Sequence, residues 1–161
     1  MGLRGRTMTA LILCAGASVG AGCMRAPVTA VGPAYEVRTV SVGGVGTVLV
    51  DGQGYTLYLF VPDTRSASTC YGSCAQAWPP LLLPTGVGAP KAGAGVHAAL
   101  LGSQPRRDGA LQVTYGGWPL YTWVGDSRPG IATGEGRNNL GGCWYAVDAA
   151  GNAVKSTPCS S

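Results

Sequence analysis

The feature that most constrains this chain is a ten-residue stretch that occurs twice. Gly54-Tyr55-Thr56-Leu57-Tyr58-Leu59-Phe60-Val61-Pro62-Asp63 aligns without a gap on Gly117-Trp118-Pro119-Leu120-Tyr121-Thr122-Trp123-Val124-Gly125-Asp126. Gly, Leu, Tyr, Val and Asp are identical in the two copies, and two further positions are aromatic in both (Tyr55 with Trp118, Phe60 with Trp123). Agreement of that density marks an internal duplication. Any fold for this sequence has to place two related units.

The first 22 residues do not belong to those units. Arg4 and Arg6 give a basic start, Ala10 to Val19 is apolar and uncharged, and Gly20-Ala21-Gly22-Cys23 follows. This is the pattern of a signal peptide over residues 1–22. It resembles a bacterial lipoprotein signal, in which cleavage falls before the cysteine and the thiol carries a diacylglycerol. The alternative is an ordinary secretory signal cut after a small-x-small triplet. A membrane-spanning helix is disfavoured because the apolar run is shorter than the roughly 20 residues a bilayer needs. Cys14 follows Leu13 and fits such a peptidase less well than Cys23. Two acyl chains suffice for stable anchoring, so the expectation is an extracytoplasmic protein tethered to a membrane through a lipid on Cys23.

Removal of the leader changes the charge. The whole chain carries 11 basic and 7 acidic residues; without Arg4 and Arg6, nine basic residues face seven acidic ones and the net charge is +2. The largest basic cluster is the pair Arg106-Arg107, read as a solvated turn before Asp108-Gly109. That excludes the basic stripe expected of a nucleic-acid-binding surface.

Residues 23–35 are small, Pro-containing and aperiodic, as in a flexible tether. From Glu36 the pattern becomes β: Val37, Val40 and Val42, then Val45, Val48 and Val50, alternate with polar residues or Gly. Asp51 to Gly54 reads as a turn, and Tyr55 to Val61 as the returning strand. That strand is apolar at both parities, so it is covered on both sides. A polar loop leads to Cys70 and Cys74, one helical turn reaching Ala77, and Trp78-Pro79-Pro80, where proline forbids a helix. Residues 36–83 form the first repeat, with Leu81-Leu82-Leu83 plugging the core, and 84–95 is a Gly/Ala/Pro linker. The second repeat, 96–161, has a short apolar segment (96–101) and a turn (104–109). Leu111, Val113 and Tyr115 then form a strand, Gly116-Gly117 a two-residue hairpin turn, and Trp118 to Val124 the returning strand. A Gly- and Asn-rich loop (129–142), a segment from Cys143 to Asp148 and a short last strand near 153–155 complete it. The expected fold is all-β: two related hairpin or meander repeats packed as one small sandwich- or barrel-like domain.

Tyr58-x-Phe60-x-x-Asp63 and Tyr121-x-Trp123-x-x-Asp126 share the pattern Tyr-x-(Phe/Trp/Tyr)-x-x-Asp. Together with Cys70-x3-Cys74-Ala75-x2-Trp78-Pro79-Pro80, Gln112 to Gly117, Pro119-Leu120-Tyr121 and Trp144, they resemble a family of bacterial secreted-repeat lipoproteins bearing that motif. The resemblance spans residues 45–154 and implies no settled activity, substrate or cofactor. Cys143 and Cys159 depart from the family pattern and imply a staple peculiar to this chain.

Four cysteines follow Cys23, an even number that in an exported chain implies disulfides with three connectivities open. The pairing 70–74 and 143–159 is favoured, since each closes a loop within one half. The rival reading of Cys70 and Cys74 is a metal or redox pair, although the spacing is C-x3-C and no His is adjacent. Asp63 and Asp126 are expected to fix turns. Pro62 and Gly125 are expected to bend the chain and bring each within reach of the Tyr five residues earlier, as a structural latch. The alternative is a two-fold-related site for a cation or small ligand, the oxygens of both carboxylates suiting a hard ion. Of the aromatics, most belong to a core, and an exposed remainder would offer a stacking platform. His97 is the only His and sits beside the linker. Gly16-Ala17-Ser18-Val19-Gly20 matches a nucleophile-elbow pattern but lies in the leader. The reading is a non-catalytic binding or envelope module with no cofactor and no nucleic-acid partner; the alternative is a metal or redox carrier using Asp63/Asp126 or Cys70/Cys74.

Overall fold

The computed structural model describes residues 31–160, so the leader, Cys23 and the start of the expected tether lie outside the described residues. Alternating valines build the first hairpin. β1 (Glu36–Val42) and β2 (Gly46–Asp51) pair antiparallel with Val40 opposite Val48. The Asp51 carboxylate accepts the backbone N–H of Gln53 and Tyr55, both at 2.9 Å, which turns the chain into the first motif copy.

That copy shows why both strand parities are apolar. Leu57 and Leu59 enter one core cluster with Val37, Leu49, Val113 and Leu120, while Tyr58 and Phe60 enter a second with Val48, Trp78, Tyr121 and Trp144. The strand is a partition between two cores. It is shorter than expected: β3 covers only Tyr58–Phe60, with Thr56 bridging Val50 before it. The ladder is interrupted because Tyr58 turns its backbone to the other copy. Tyr58 N–H donates to Tyr121 C=O at 2.8 Å, and Tyr121 N–H returns the bond at 3.0 Å.

Downstream, α1 (Ser73–Ala77) is the expected helical turn. Leu81 and Leu83 donate backbone bonds to Leu120 and Leu111 at 2.9 Å, so the first half is stitched onto the second. β4 (Lys91–Ala92) pairs parallel with β1; the segment read as a linker therefore contributes a strand. A 3-10 turn (Ala98–Leu100) precedes β5 (Leu101–Pro105), which extends into the region read as a turn. β6 (Leu111–Tyr115) follows, and Gly116 (φ 57°) and Gly117 (φ 84°) form the hairpin turn, both in the left-handed region that glycine accepts. β7 is only Trp118–Pro119, since Pro119 offers no N–H to continue the ladder. β8 (Arg137–Asn139) lies inside the stretch read as a loop and forms a hairpin with β9 (Gly142–Ala146). The expected last strand at 153–155 reduces to one bridge, Val147 with Ala153.

Among the described residues the result is three three-stranded sheets, ordered β2-β1-β4, β3-β9-β8 and β5-β6-β7, with no closed barrel. The all-β class is as expected. The sequence halves, however, are not packing halves. β3 from the first half lies beside β9 from the second, with Leu59 opposite Tyr145.

Candidate functional site

The four motif residues meet at the seam between the copies. Tyr58 and Tyr121 are fully buried, and Asp63 and Asp126 are each 4 % exposed. Each Asp closes a tight turn, with Asp63 N–H donating to Phe60 C=O at 3.0 Å and Asp126 N–H to Trp123 C=O at 3.1 Å. Those turns fold the carboxylates back, but not onto their own copy. The Tyr58 hydroxyl donates to Asp126 Oδ2 at 2.6 Å, and the Tyr121 hydroxyl donates to Asp63 Oδ2 at 2.6 Å. The latch expected within each copy is therefore exchanged between copies. Antiparallel pairing at the two tyrosines is what places each hydroxyl beside the other copy's turn.

The second oxygen of each carboxylate is held alike. Asp63 Oδ1 accepts from Thr69 N–H and Thr69 Oγ1, both at 2.7 Å; Asp126 Oδ1 accepts from Thr133 N–H at 2.8 Å and Thr133 Oγ1 at 2.7 Å. These threonines were not singled out in the sequence, although a Thr six or seven residues after each Asp was a visible signal. The surroundings then differ. Tyr121 also bonds Ser68 Oγ, which receives Arg106 Nη1 at 2.9 Å. Arg106 further donates to Gln112 Oε1 at 2.6 Å and Cys70 C=O at 2.9 Å. It is 5 % exposed, not the solvated turn residue its neighbour Arg107 suggested. Tyr58 has instead the Gly134 N–H at 3.3 Å.

The aromatics repeat the exchange. Phe60, Trp144, Trp78 and Trp123 stack in that order, with centroids 4.1, 3.9 and 4.3 Å apart. Each outer ring comes from one motif copy and lies on the tryptophan that follows the other. Tyr58 meets Trp78 edge-on at 5.3 Å and Tyr121 meets Trp144 at 5.2 Å, the arrangement ring quadrupoles favour. Arg137 covers the open face of Trp123 at 5.0 Å.

Burial pushes both tyrosine hydroxyls far above their ordinary range, reinforced by the adjacent carboxylates. Burial also raises Asp63, against the bonds from Tyr121 and Thr69 and the charge of Arg106. Above pH about 10 the unfolded chain releases its tyrosine protons while Tyr58 and Tyr121 keep theirs. The unfolded state then binds fewer protons, and stability contributed by this pair, intact below pH 10, falls by roughly 2.7 kcal/mol per pH unit. Tyrosinate absorbance followed with pH should show two tyrosines that ionise only in the unfolding transition; their ionisation in the folded protein near pH 10 would contradict the geometry.

Cys70 pairs with Cys74 and Cys143 with Cys159, Cα atoms 5.2 and 5.8 Å apart, the favoured connectivity. Among the described residues no group of three or more His, Cys, Asp or Glu side chains is placed to hold a metal. Both oxygens of Asp63 and Asp126 already accept bonds from the protein. His97 is exposed; its backbone N–H donates to Tyr115 Oη at 2.9 Å and its C=O accepts Leu100 N–H at 2.9 Å. No described helix is long and apolar enough to cross a membrane. This arrangement locks the two copies together.

A family model described as a secreted repeat of unknown function matches residues 39–82 and 103–148, together more than half the chain. Each matched segment carries one copy of the Tyr–Asp motif. No curated protein and no solved structure matches the chain.

Proposed function

We propose that this chain, which belongs to the family of secreted repeats of unknown function, is a non-catalytic binding module held at a bacterial membrane by a lipid on Cys23. The observation that carries the reading is the closure of the motif. Tyr58, Asp63, Tyr121 and Asp126 are buried and each carboxylate oxygen has a protein donor. The repeated residues thus build a rigid frame, and recognition falls to the surface around it. The two disulfides suit an extracytoplasmic compartment, and the lipid rests on Gly20-Ala21-Gly22-Cys23 behind a basic and apolar leader.

One preparation tests both parts. The full chain, expressed in a bacterium fed labelled palmitate and purified without chelators, should carry label, fractionate with membranes, and be colourless and metal-free. Cys23→Ser should lose the label and leave the membrane. Label that survives Cys23→Ser would contradict the anchor. A stoichiometric metal lost on changing Asp63 and Asp126 to Asn would replace the binding module with a metal carrier.

A further inference from the structure

We propose that the cleft between β3, the Gly116-Gly117 turn and the turn at 151–155 binds a small amphipathic anion, an apolar ring or branched body carrying one carboxylate, sulfonate or phosphate. This deepens the binding-module reading and rests on it. The cleft encloses about 380 Å3, within the range of small-molecule sites. Its walls are Leu59, Val61, Trp118 and Ala153, and its charged lining residues are Arg65 and Lys155. A larger groove of about 600 Å3 beside Leu82 and Leu111 has no charged or aromatic lining residue to orient a ligand.

The apolar wall is unusual in what it leaves open. Val61 is 48 % exposed, while Trp118 and Ala153 are only partly buried where they pack against the first core cluster. A flat or branched apolar group seated there would extend that core. The cations are fixed beside it. Arg65 donates Nη1 to Gly116 C=O and holds its guanidinium carbon 5.6 Å from the centre of the Trp118 ring. Its other nitrogens have no protein acceptor among the described residues, and they remain available for a paired contact with an anionic head. Arg65 also shapes the turn: a Cβ on Gly117 would meet Arg65 C=O at 2.9 Å.

Lys155 is presented in another way. Its φ of 54° is left-handed, a conformation that side-chain-bearing residues hold only where neighbours enforce it, commonly at functional sites. The enforcing group is buried Glu135, whose Oε1 accepts Ser156 N–H at 2.9 Å while Oε2 accepts Ala146 N–H at 2.7 Å. Lys155 is exposed, makes no ion pair among the described residues, and lies 5.9 Å from the Tyr145 ring. None of the lining residues is acidic. Two positive groups beside an apolar wall, neither neutralised by a carboxylate, complement a ligand that is apolar at one end and anionic at the other.

The test is titration of the exported Cys23→Ser chain, nitrogen-15 labelled, with naphthalene-2-carboxylate, followed by amide and indole NMR shifts. Saturable shifts should centre on Val61, the Trp118 indole and residues 151–155. The neutral analogue 2-naphthylmethanol should bind at least tenfold more weakly. Arg65→Gln and Lys155→Gln should each weaken the carboxylate at least fivefold, and Lys155, being exposed, gives a variant whose fold is not in question. Arg128→Gln, at the equivalent place in the second copy, should change nothing. Saturable shifts centred elsewhere would overturn this site and leave the binding module standing. Binding of anionic phospholipid vesicles without any binding of the free carboxylate would also overturn it, in favour of a membrane surface. Turnover of the probe would instead overturn the non-catalytic reading itself.

Discussion

Trp78→Ala is expected to leave a chain that no longer unfolds cooperatively at room temperature. Trp78 is fully buried and has three aromatic neighbours, being stacked on Trp144 and Trp123 and met edge-on by Tyr58. Removing a buried Trp side chain costs about 3–5 kcal/mol in transfer and cavity terms, and each aromatic pair adds about 0.5–1.5 kcal/mol. The sum is comparable to the whole stability of a small domain, about 5–15 kcal/mol. Trp78 also donates its indole N–H to Asn139 Oδ1 at 3.0 Å, so the substitution removes a tie to the end of β8 as well. Near-ultraviolet circular dichroism and urea unfolding check this. A sharp transition with a loss under about 2 kcal/mol would mean that the stack fills space without holding the fold.

Asp126→Ala is the second large effect, and it should exceed Asp63→Ala. Each substitution removes the acceptor of a buried tyrosine hydroxyl, and an orphaned buried donor costs about 1–3 kcal/mol. The Asp126 change leaves Tyr58 facing only the Gly134 N–H, a donor that cannot replace the carboxylate. The Asp63 change leaves Tyr121 beside Ser68 Oγ, which is able to accept. A loss of roughly 3 kcal/mol is expected for Asp126→Ala, with Asp63→Ala milder by about 1 kcal/mol. Urea midpoints of the two variants measure the difference. The reverse order would show that the Arg106–Ser68 chain depends on Asp63 more than Tyr58 depends on Asp126.

Much of this was legible in the residues, for identifiable reasons. The β class followed from alternating valines, and the two-sided strand at Leu57 to Phe60 followed from apolar residues at both parities. The disulfides followed from short spacings. What could not be read was which copy each side chain would serve. Tyr58 and Asp63 are close in sequence, and local reasoning joins them, whereas the mutual backbone bonds of Tyr58 and Tyr121 are a tertiary event that overrides it. The same pairing interrupts the predicted strands at 55–61 and 118–124 at Tyr58 and Tyr121, and Pro119 adds to it in the second copy by offering no N–H. Arg106 beside Arg107 looked like a solvated pair because sequence cannot show that one of two neighbours points inward to Gln112 and Cys70. Thr69 and Thr133 escape such a reading because each Asp is expected to fix its own turn and meet its own Tyr, which leaves no need for a donor six or seven residues on.

The exchange itself is the central claim, and a pair of double-mutant cycles tests it most directly. Tyr58→Phe combined with Asp126→Ala should show a coupling of about 1.5 kcal/mol or more in urea unfolding, while Tyr58→Phe combined with Asp63→Ala should be additive to within about 0.5 kcal/mol. Coupling of Tyr58 to Asp63 with additivity towards Asp126 would contradict the crossed latch and return each motif copy to itself.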